Sequence, residues 1–201
     1  CLVGSKMCIR EDAITSKKLI EKNVCGSFYI NDQLGVEKYD NQISDTDTHS
    51  DFCAKIICKY APNTEIYNII VKDTDNYGDI LKLIAAIDFA AGLNVDIIHM
   101  SLGTVYKYYI RRLHKAVKKA SSKCILVAAR SNSGEITYPA DFKEVICCVA
   151  EGRDDIGFDR RVNGKHMIRA NNSQVTFSPN SNSFAAAYYT ALLCSNYNES
   201  D

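Results

Sequence analysis

The chain has 201 residues, 46% of them hydrophobic, which is enough for one domain that buries a sizeable core. Its 24 basic and 24 acidic residues balance, so neither a basic surface for nucleic acid nor an acidic disordered tail is indicated. The apolar runs are interrupted and only as long as strands, so we expect no membrane span, and the first residues lack the pattern of a signal peptide.

Strand and helix patterns alternate along the chain. In chain order they predict a strand at 6–10, a helix at 49–59, a strand at 65–71, a helix with Ile80, Ile84, Ile87 and Ala91 on one stripe that ends at Gly92, a strand at 95–100, a helix at 105–120 with Tyr109, Leu113, Ala116 and Ala120 on one face, strands at 123–129 and 145–150, and a helix at 183–194.

This alternation, with nearly continuous apolar strands, predicts an α/β fold: a three-layer, mainly parallel β-sheet with helices on both faces. We expect residues 1–201 to form a single domain. Residues 151–173 are polar and predict a loop or hairpin insertion before a short strand at 175–177. In such sheets ligands bind outside the carboxyl ends of the strands, where Asn132 and the segment 101–103 fall.

The nine cysteines indicate a reducing compartment more than a disulfide framework. Their spacings contain no CxxC pair and no zinc-like quartet. Cys124, Cys147 and Cys148 lie in apolar strand-like runs, where a thiol behaves as a small hydrophobe. We therefore expect reduced, mostly buried thiols in a cytoplasmic protein. His49 and Cys53 share a predicted helix face but are too few to bind a metal, so neither metal nor cofactor is expected.

Three segments carry the residue types of an acyl-transfer site. Ser183 lies where a polar run becomes an apolar helix, and exposed amides at a helix start favour negative charge. His49 is also at a helix start, and Asn132 ends a buried strand. Together they offer a nucleophile, a base and an amide donor. Taken singly, Ser183 could be an N-cap, His49 a packed or surface residue, and Asn132 a turn residue.

The motifs around these residues, in their order along the chain, resemble those of the subtilisin-like serine peptidases, or subtilases. The matching segments are HSDFCAK at 49–55 against HGTHVAG, YAPNTEIY at 60–67 against APNAEIY, VDIIHMSLG at 95–103 against VDVINMSLG, ILVAARSNSG at 125–134 against VVVAAAGNSG, TYPA at 137–140, and SNSFAAA at 181–187 against GTSMAAP.

The resemblance implies a role for each matching position. Ser183 would be the nucleophile and His49 the general base. Asn132 would donate to the oxyanion beside the Ser183 backbone amide. The strand edge that pairs with an extended peptide would consist of Ser101, Leu102 and Gly103.

The acid that orients the histidine is the least regular part of the resemblance. The family has Asp-Thr-Gly or Asp-Ser-Gly after its first strand, and here Glu11 aligns best with the aspartate. A one-residue slip would give Asp12 instead. Glutamate is one methylene longer, and a misplacement of about 1 Å can cost on the order of a hundredfold in rate. A glutamate at this position therefore predicts a slow or specialised enzyme.

Further departures lie close to the implied site. Ser50, Ser131 and Ser181 each replace a glycine, and each adds a Cβ where backbone and substrate approach closely. Asp51 follows Ser50, and Asn182 replaces the threonine before the nucleophile.

Three functional hypotheses follow from these residues. The first is an intracellular serine endopeptidase that cleaves a restricted peptide or a precursor with a leader. The second is a catalytically impaired subtilase fold that binds peptides or regulates a partner through the 101–103 edge. The third is a cysteine hydrolase that pairs Cys53 with His49. The expected partner is a peptide or protein substrate, with a propeptide or partner chain as a possible addition, and neither nucleic acid nor membrane.

Overall fold

The computed structural model describes residues 6–10, 13–71, 80–150, 157–162, 165–170 and 181–199. The strand predicted at 175–177 lies outside these ranges. The elements, in chain order, are β1 (Lys6–Arg10), α1 (Lys17–Lys22), β2 (Val24–Ile30), β3 (Val36–Lys38), α2 (His49–Tyr60), β4 (Glu65–Ile70), α3 (Ile80–Ala90), β5 (Ile97–Met100), α4 (Ile110–Ala120), β6 (Ile125–Ala129), β7 (Ile146–Ala150), β8 (Gly157–Val162), β9 (Lys165–Ala170) and α5 (Asn182–Glu199).

The described strands form one sheet in the order β3-β2-β4-β1-β5-β6-β7-β9-β8. Neighbouring strands run parallel except at the two edges, where β2 pairs with β3 and β8 with β9 in antiparallel fashion. The antiparallel pair β8–β9 lies within the polar segment 151–173. All central carboxyl ends therefore meet at one edge of the sheet, as the predicted parallel arrangement requires.

Two apolar cores, one on each face of the sheet, confirm the predicted three-layer fold. Adjacent strand residues point to opposite faces, so Ile97 belongs to one core and Ile98 to the other. Helices α3 and α4 pack on the Ile98 face, and α2 and α5 pack on the Ile97 face. None of the helices within the described ranges is long and apolar enough to cross a lipid bilayer.

The helix predicted at 105–120 begins only at Ile110. Tyr109 adopts a left-handed conformation with φ of 61°, which a helix cannot continue, and its side chain is 39% exposed instead of facing the core. Leu113, Ala116 and Ala120 are buried as predicted. The sequence patterns also missed α1, β2 and β3. The first is only six residues long, and β3 is exposed along its whole length, so neither carries a clear apolar period.

A carboxylate at the start of α2 connects this helix to the chain that follows β1. Thr48 is the N-cap, its Oγ1 accepts a hydrogen bond from the Asp51 amide at 3.1 Å, and Asp51 Oδ2 accepts one from the Thr48 amide at 2.9 Å. Asp51 Oδ1 also accepts from the amides of Thr15 and Ser16, at 3.0 and 2.9 Å. Thr48 Oγ1 lies 2.9 Å from the Ala13 carbonyl oxygen, to which it donates. Asp51 thus fixes the position of His49, the first residue of α2.

We expect Asp51→Asn to lower the free energy of unfolding at pH 7 by about 2 kcal/mol, because the new amide nitrogen faces donors that lose their acceptor. Burial raises the pKa of the Asp51 carboxyl, but hydrogen bonds from Thr15, Thr48 and Ser16 outweigh it and hold the pKa below its usual value of 3.8. Stability from a carboxyl with a depressed pKa is present above the unfolded pKa and lost as the pH falls through the folded one. Urea unfolding should therefore show a difference in the free energy of unfolding between wild type and Asp51→Asn. This difference should be constant above about pH 5 and shrink below about pH 4.

Asp45→Asn is the matched control, since Asp45 is an exposed residue of the loop that leads into α2. It should change stability by no more than about 0.5 kcal/mol. An equal loss in both variants would contradict the role given to Asp51.

Candidate active site

A cavity of about 830 Å³ opens at the edge of the sheet where the carboxyl ends of β5 and β6 meet the starts of α2 and α5. It brings together Ser183, His49, Asn132 and the segment 101–103, which the sequence had placed far apart. The residues that line it are His49, Phe52, Ser101, Leu102, Gly103, Ala129, Arg130, Ser131, Asn132, Thr137, Ser181, Ser183 and Phe184.

Ser183 lies in the first turn of α5, which begins at Asn182. The Ser181 carbonyl accepts hydrogen bonds from the amides of Phe184 and Ala185, at 3.1 and 3.2 Å, and so turns the chain into the helix. Ser183 is only 8% exposed, and its opening is to the cavity. First-turn amides have no acceptor inside their own helix, which leaves the Ser183 amide available to an anion.

His49 lies against the residue that follows the serine. Its imidazole stacks on the Phe184 ring with centroids 5.8 Å apart and an angle of 24° between the planes. Phe52, one turn further along α2, also contacts Phe184, in a T-shaped arrangement with ring centroids 6.3 Å apart. These contacts hold the imidazole beside the start of α5. His49 Nε2 also lies 4.0 Å from Cys53 Sγ.

Glu11 and its alternative, Asp12, lie outside the described residues, so the acid stays a prediction. Ala13, the next described residue, is tied to Thr48 immediately before His49. In the part of the chain that the structure describes, no group of three or more His, Cys, Asp or Glu side chains is arranged to hold a metal ion.

Asn182 joins the two strand ends and the nucleophile helix. Its Nδ2 donates to the carbonyl oxygens of Arg130 and Ser131, at 3.0 Å each, and its Oδ1 accepts from the Ala150 amide at 2.8 Å. Its backbone amide donates to Asn132 Oδ1 at 3.0 Å. Because only the oxygen of an amide side chain accepts, this bond fixes which arm of Asn132 is which, and Nδ2 is the arm left to donate elsewhere. Sequence reasoning noted Asn182 only as a departure from the threonine of the family motif.

The three serines that replace glycines impose no backbone strain. Among the described residues other than glycine, the left-handed region holds Leu34, Asn94 and Tyr109, and none of these serines. Ser131 Oγ instead accepts a bond from the Ser133 amide at 3.2 Å and so helps to form the turn that carries Asn132. The backbone therefore accommodates these serines in an ordinary conformation.

A buried histidine connects the segment 101–103 to helix α5. His99 Nε2 lies 2.7 Å from Ser101 Oγ, and its Nδ1 lies 3.0 Å from Thr190 Oγ1 on α5. Ser101 Oγ is also 3.8 Å from Cys53 Sγ. His99 itself does not line the cavity. These contacts depend on the packing of β5 against α2 and α5, which the sequence does not show.

Gly103 is a position where the backbone of two segments approaches closely. A Cβ there would lie 3.2 Å from the Tyr138 carbonyl oxygen. The next residue, Thr104, exchanges two backbone hydrogen bonds with Tyr138, at 2.8 and 2.9 Å. This pairing closes one end of the edge and leaves Ser101 and Leu102 bordering the cavity.

Comparison with known proteins gives partial sequence matches to two bacterial peptidases. A stretch of 94 residues, 45% of this chain, is 37% identical to the minor extracellular protease Epr of Bacillus subtilis (strain 168) and covers 14% of that protein. A stretch of 93 residues, 43% of this chain, is 36% identical to subtilisin DY of Bacillus licheniformis and covers 33% of it. The matched part thus spans a third or less of the length of either relative.

The structure is similar to that of the prenylagaramide maturation protease PagA, with a TM-score of 0.68 and 18% identity over 94% of this chain and 73% of that chain. At this identity the likeness establishes a shared fold. Residues 4–194 match the model of the Subtilase family. This range includes every candidate site residue that the sequence predicted. The chain therefore belongs to the subtilase family.

Proposed function

We propose that this chain is a serine endopeptidase in which Ser183 is the nucleophile and His49 the general base. The observation that carries the proposal is the single cavity that holds both of them with Asn132 and the 101–103 edge. Membership of the subtilase family supports it, since the related proteins are named as proteases. The family gives the class of reaction, and the cavity gives the residues that would perform it.

The chemistry follows from the position of each group. Ser183 Oγ attacks a peptide carbonyl while His49 takes its proton and then passes it to the leaving amine. Water next attacks the acyl-enzyme, again with His49 as the base. The oxyanion that forms in each step accepts hydrogen bonds from Asn132 Nδ2 and from the Ser183 amide. Both donors are fixed before the substrate arrives, one by Asn182 and the other by the helix.

A substrate would bind as an extended strand along Ser101 and Leu102. These residues continue β5 beyond Met100, and the pairing of Thr104 with Tyr138 closes the far end of the edge. The carbonyl to be attacked would then lie beside Ser183 and Asn132, which line the same cavity as that edge. Glu11 is proposed as the acid that orients His49.

We also propose a restricted substrate, a precursor or leader peptide, and a cytoplasmic location. Two observations support this part. The solved relative PagA is named a maturation protease. Most of the cysteines whose side chains the structure describes are buried or half-buried, as expected of reduced thiols that act as small hydrophobes: Cys53, Cys58, Cys124, Cys147, Cys148 and Cys194. Buried thiols of this kind suit a reducing compartment.

The first prediction concerns the serine. The protein should form a single covalent adduct with a fluorophosphonate, read by intact mass, because an activated serine attacks the phosphorus as it would a carbonyl. Ser183→Ala should form none. Asn132→Ala should react about a hundredfold more slowly, the size typical of removing one oxyanion donor from a peptidase of the subtilisin type.

Ser195→Ala is the control, since Ser195 lies on the same helix but does not line the cavity. It should be labelled as fast as the wild type. An adduct that persists in Ser183→Ala would refute the assignment of the nucleophile. No adduct on folded wild-type protein would favour the alternative, a non-catalytic subtilase fold that binds peptides, in which a charge at Leu102 abolishes binding.

The second prediction concerns Asn182, which we assign as a positioning residue. Asn182→Asp keeps the size and can still accept from the Ala150 amide, but it cannot donate to the Arg130 and Ser131 carbonyls. We expect it to lower kcat about tenfold or more with little change in KM, because the Asn132 turn loses its anchor.

In an Asn132→Ala background, the same change at Asn182 should cost much less, since the two residues act through one donor. A loss of thermal stability with kcat unchanged would show that Asn182 serves the fold alone. Asn182→Thr, which restores the family residue, tests whether a shorter side chain suffices.

The third prediction separates a serine from a cysteine nucleophile. Cys53 is 1% exposed and does not line the cavity, whereas Cys25 is exposed. Burial raises the pKa of Cys124 to about 11, which leaves little of the reactive thiolate at neutral pH. Among the cysteines that the structure describes, iodoacetamide should therefore modify Cys25 first, and it should leave fluorophosphonate labelling unchanged. Cys25→Ser is the control, since it should lack the iodoacetamide adduct of Cys25. Loss of fluorophosphonate labelling together with alkylation of Cys53 would favour the cysteine hydrolase.

A further inference from the structure

Among the described residues that line the cavity, Arg130 is the one with a permanent positive charge. It follows β6 directly and precedes Asn132 by two residues. The family pattern that residues 125–134 resemble has alanine at this position. The arginine is half-buried, and its Nη2 donates to the Gly134 carbonyl at 3.3 Å, so that the guanidinium spans the turn around Asn132.

Arg130 and the substrate edge follow neighbouring strands of the sheet. β5 and β6 are parallel, and Met100 is paired with Ala128 near their carboxyl ends. Leu102 comes two residues after Met100, and Arg130 comes two residues after Ala128, so both leave the sheet at the same edge. Both residues line the cavity, so their side chains border the same space.

The charge of Arg130 has no carboxylate to neutralise it among the described residues that line the cavity, where His49 is the other ionisable group. Glu135, just after the turn, instead accepts a hydrogen bond from Ser133 Oγ at 2.9 Å. A guanidinium has five N–H donors, and the bond to Gly134 uses one. The remaining donors can therefore serve a substrate.

The attacked carbonyl determines which substrate residue meets this charge. Its oxygen must reach Asn132 Nδ2 and the Ser183 amide, so the residue that bears the carbonyl lies beside the 130–132 turn. Its side chain then enters the space between Leu102 and Arg130. A carboxylate there can form a charge-assisted, bidentate pair with the guanidinium, a geometry that arginine favours.

We propose that Arg130 makes this site select an acidic side chain, glutamate or aspartate, in the substrate residue whose carbonyl Ser183 attacks. This inference rests on the proposed function, because it uses Ser183 and Asn132 to position the peptide. It names the substrate class more closely: a peptide cleaved after an acidic residue.

Binding to the Ser183→Ala variant tests the preference without turnover. The probes are three fluorescent peptides, identical except that they end in glutamate, glutamine or lysine, so that the terminal carboxylate lies at the oxyanion donors. Fluorescence anisotropy should show the glutamate peptide binding about tenfold more tightly than the glutamine peptide, with the gap narrowing at high salt. Arg130→Gln should remove the gap because it removes the charge, and Arg130→Glu should favour the lysine peptide.

Arg111→Ala is the control for net charge, because Arg111 is exposed on α4 and does not line the cavity. It should keep the glutamate preference. Equal binding of the glutamate and glutamine peptides, a preference that survives in Arg130→Gln, or no binding of any peptide would overturn the proposal. Fluorophosphonate labelling of the wild type reports on the proposed function separately, so a failure of catalysis and a failure of this preference are distinguishable.

Discussion

The arrangement of the site depends on the hydrogen bonds of one buried side chain, that of Asn182. An isolated buried amide is unfavourable unless each of its groups is paired, and here the two carbonyls at the end of β6 and the amide at the end of β7 pair it. The same residue begins the helix that carries Ser183 and holds Asn132 by its backbone amide. One side chain thus sets the distance between two strand ends and the nucleophile.

A second set of contacts positions the other half of the site. Asp51 accepts three hydrogen bonds from Thr15 and Ser16, which follow β1, and one from the Thr48 amide at the N-cap of α2. The Phe184 ring contacts the rings of His49 and Phe52. Both sets of contacts lie at helix starts, and at α2 the Asp51 carboxylate supplies the acceptor that the Thr48 amide lacks within the helix. Asp51, which departs from the family pattern after His49, therefore has a structural role through its hydrogen-bond partners.

The departures from the family pattern fall into two physical classes. Ser131 and Asn182 are built into the backbone framework through hydrogen bonds, and the framework accepts them without strain. Arg130 differs because its charge has no carboxylate partner among the described residues that line the cavity. The first class preserves the geometry on which catalysis depends, and the second changes what the site can bind.

The sequence alone determined the class of fold, and it predicted the site residues His49, Asn132 and Ser183, which line one cavity. Apolar strands alternating with amphipathic helices specify a parallel sheet, and the segments around His49, Asn132 and Ser183 are local patterns that survive without knowledge of their contacts. The sequence did not determine where α4 begins, since one left-handed residue at Tyr109 decides it. Nor did it reveal Asn182, His99 and Arg130 as parts of one site, because their partners are distant in the chain and meet only when parallel strands end at a common edge. Residues whose roles come from their own segment were predictable, and those whose roles come from packing required the tertiary structure.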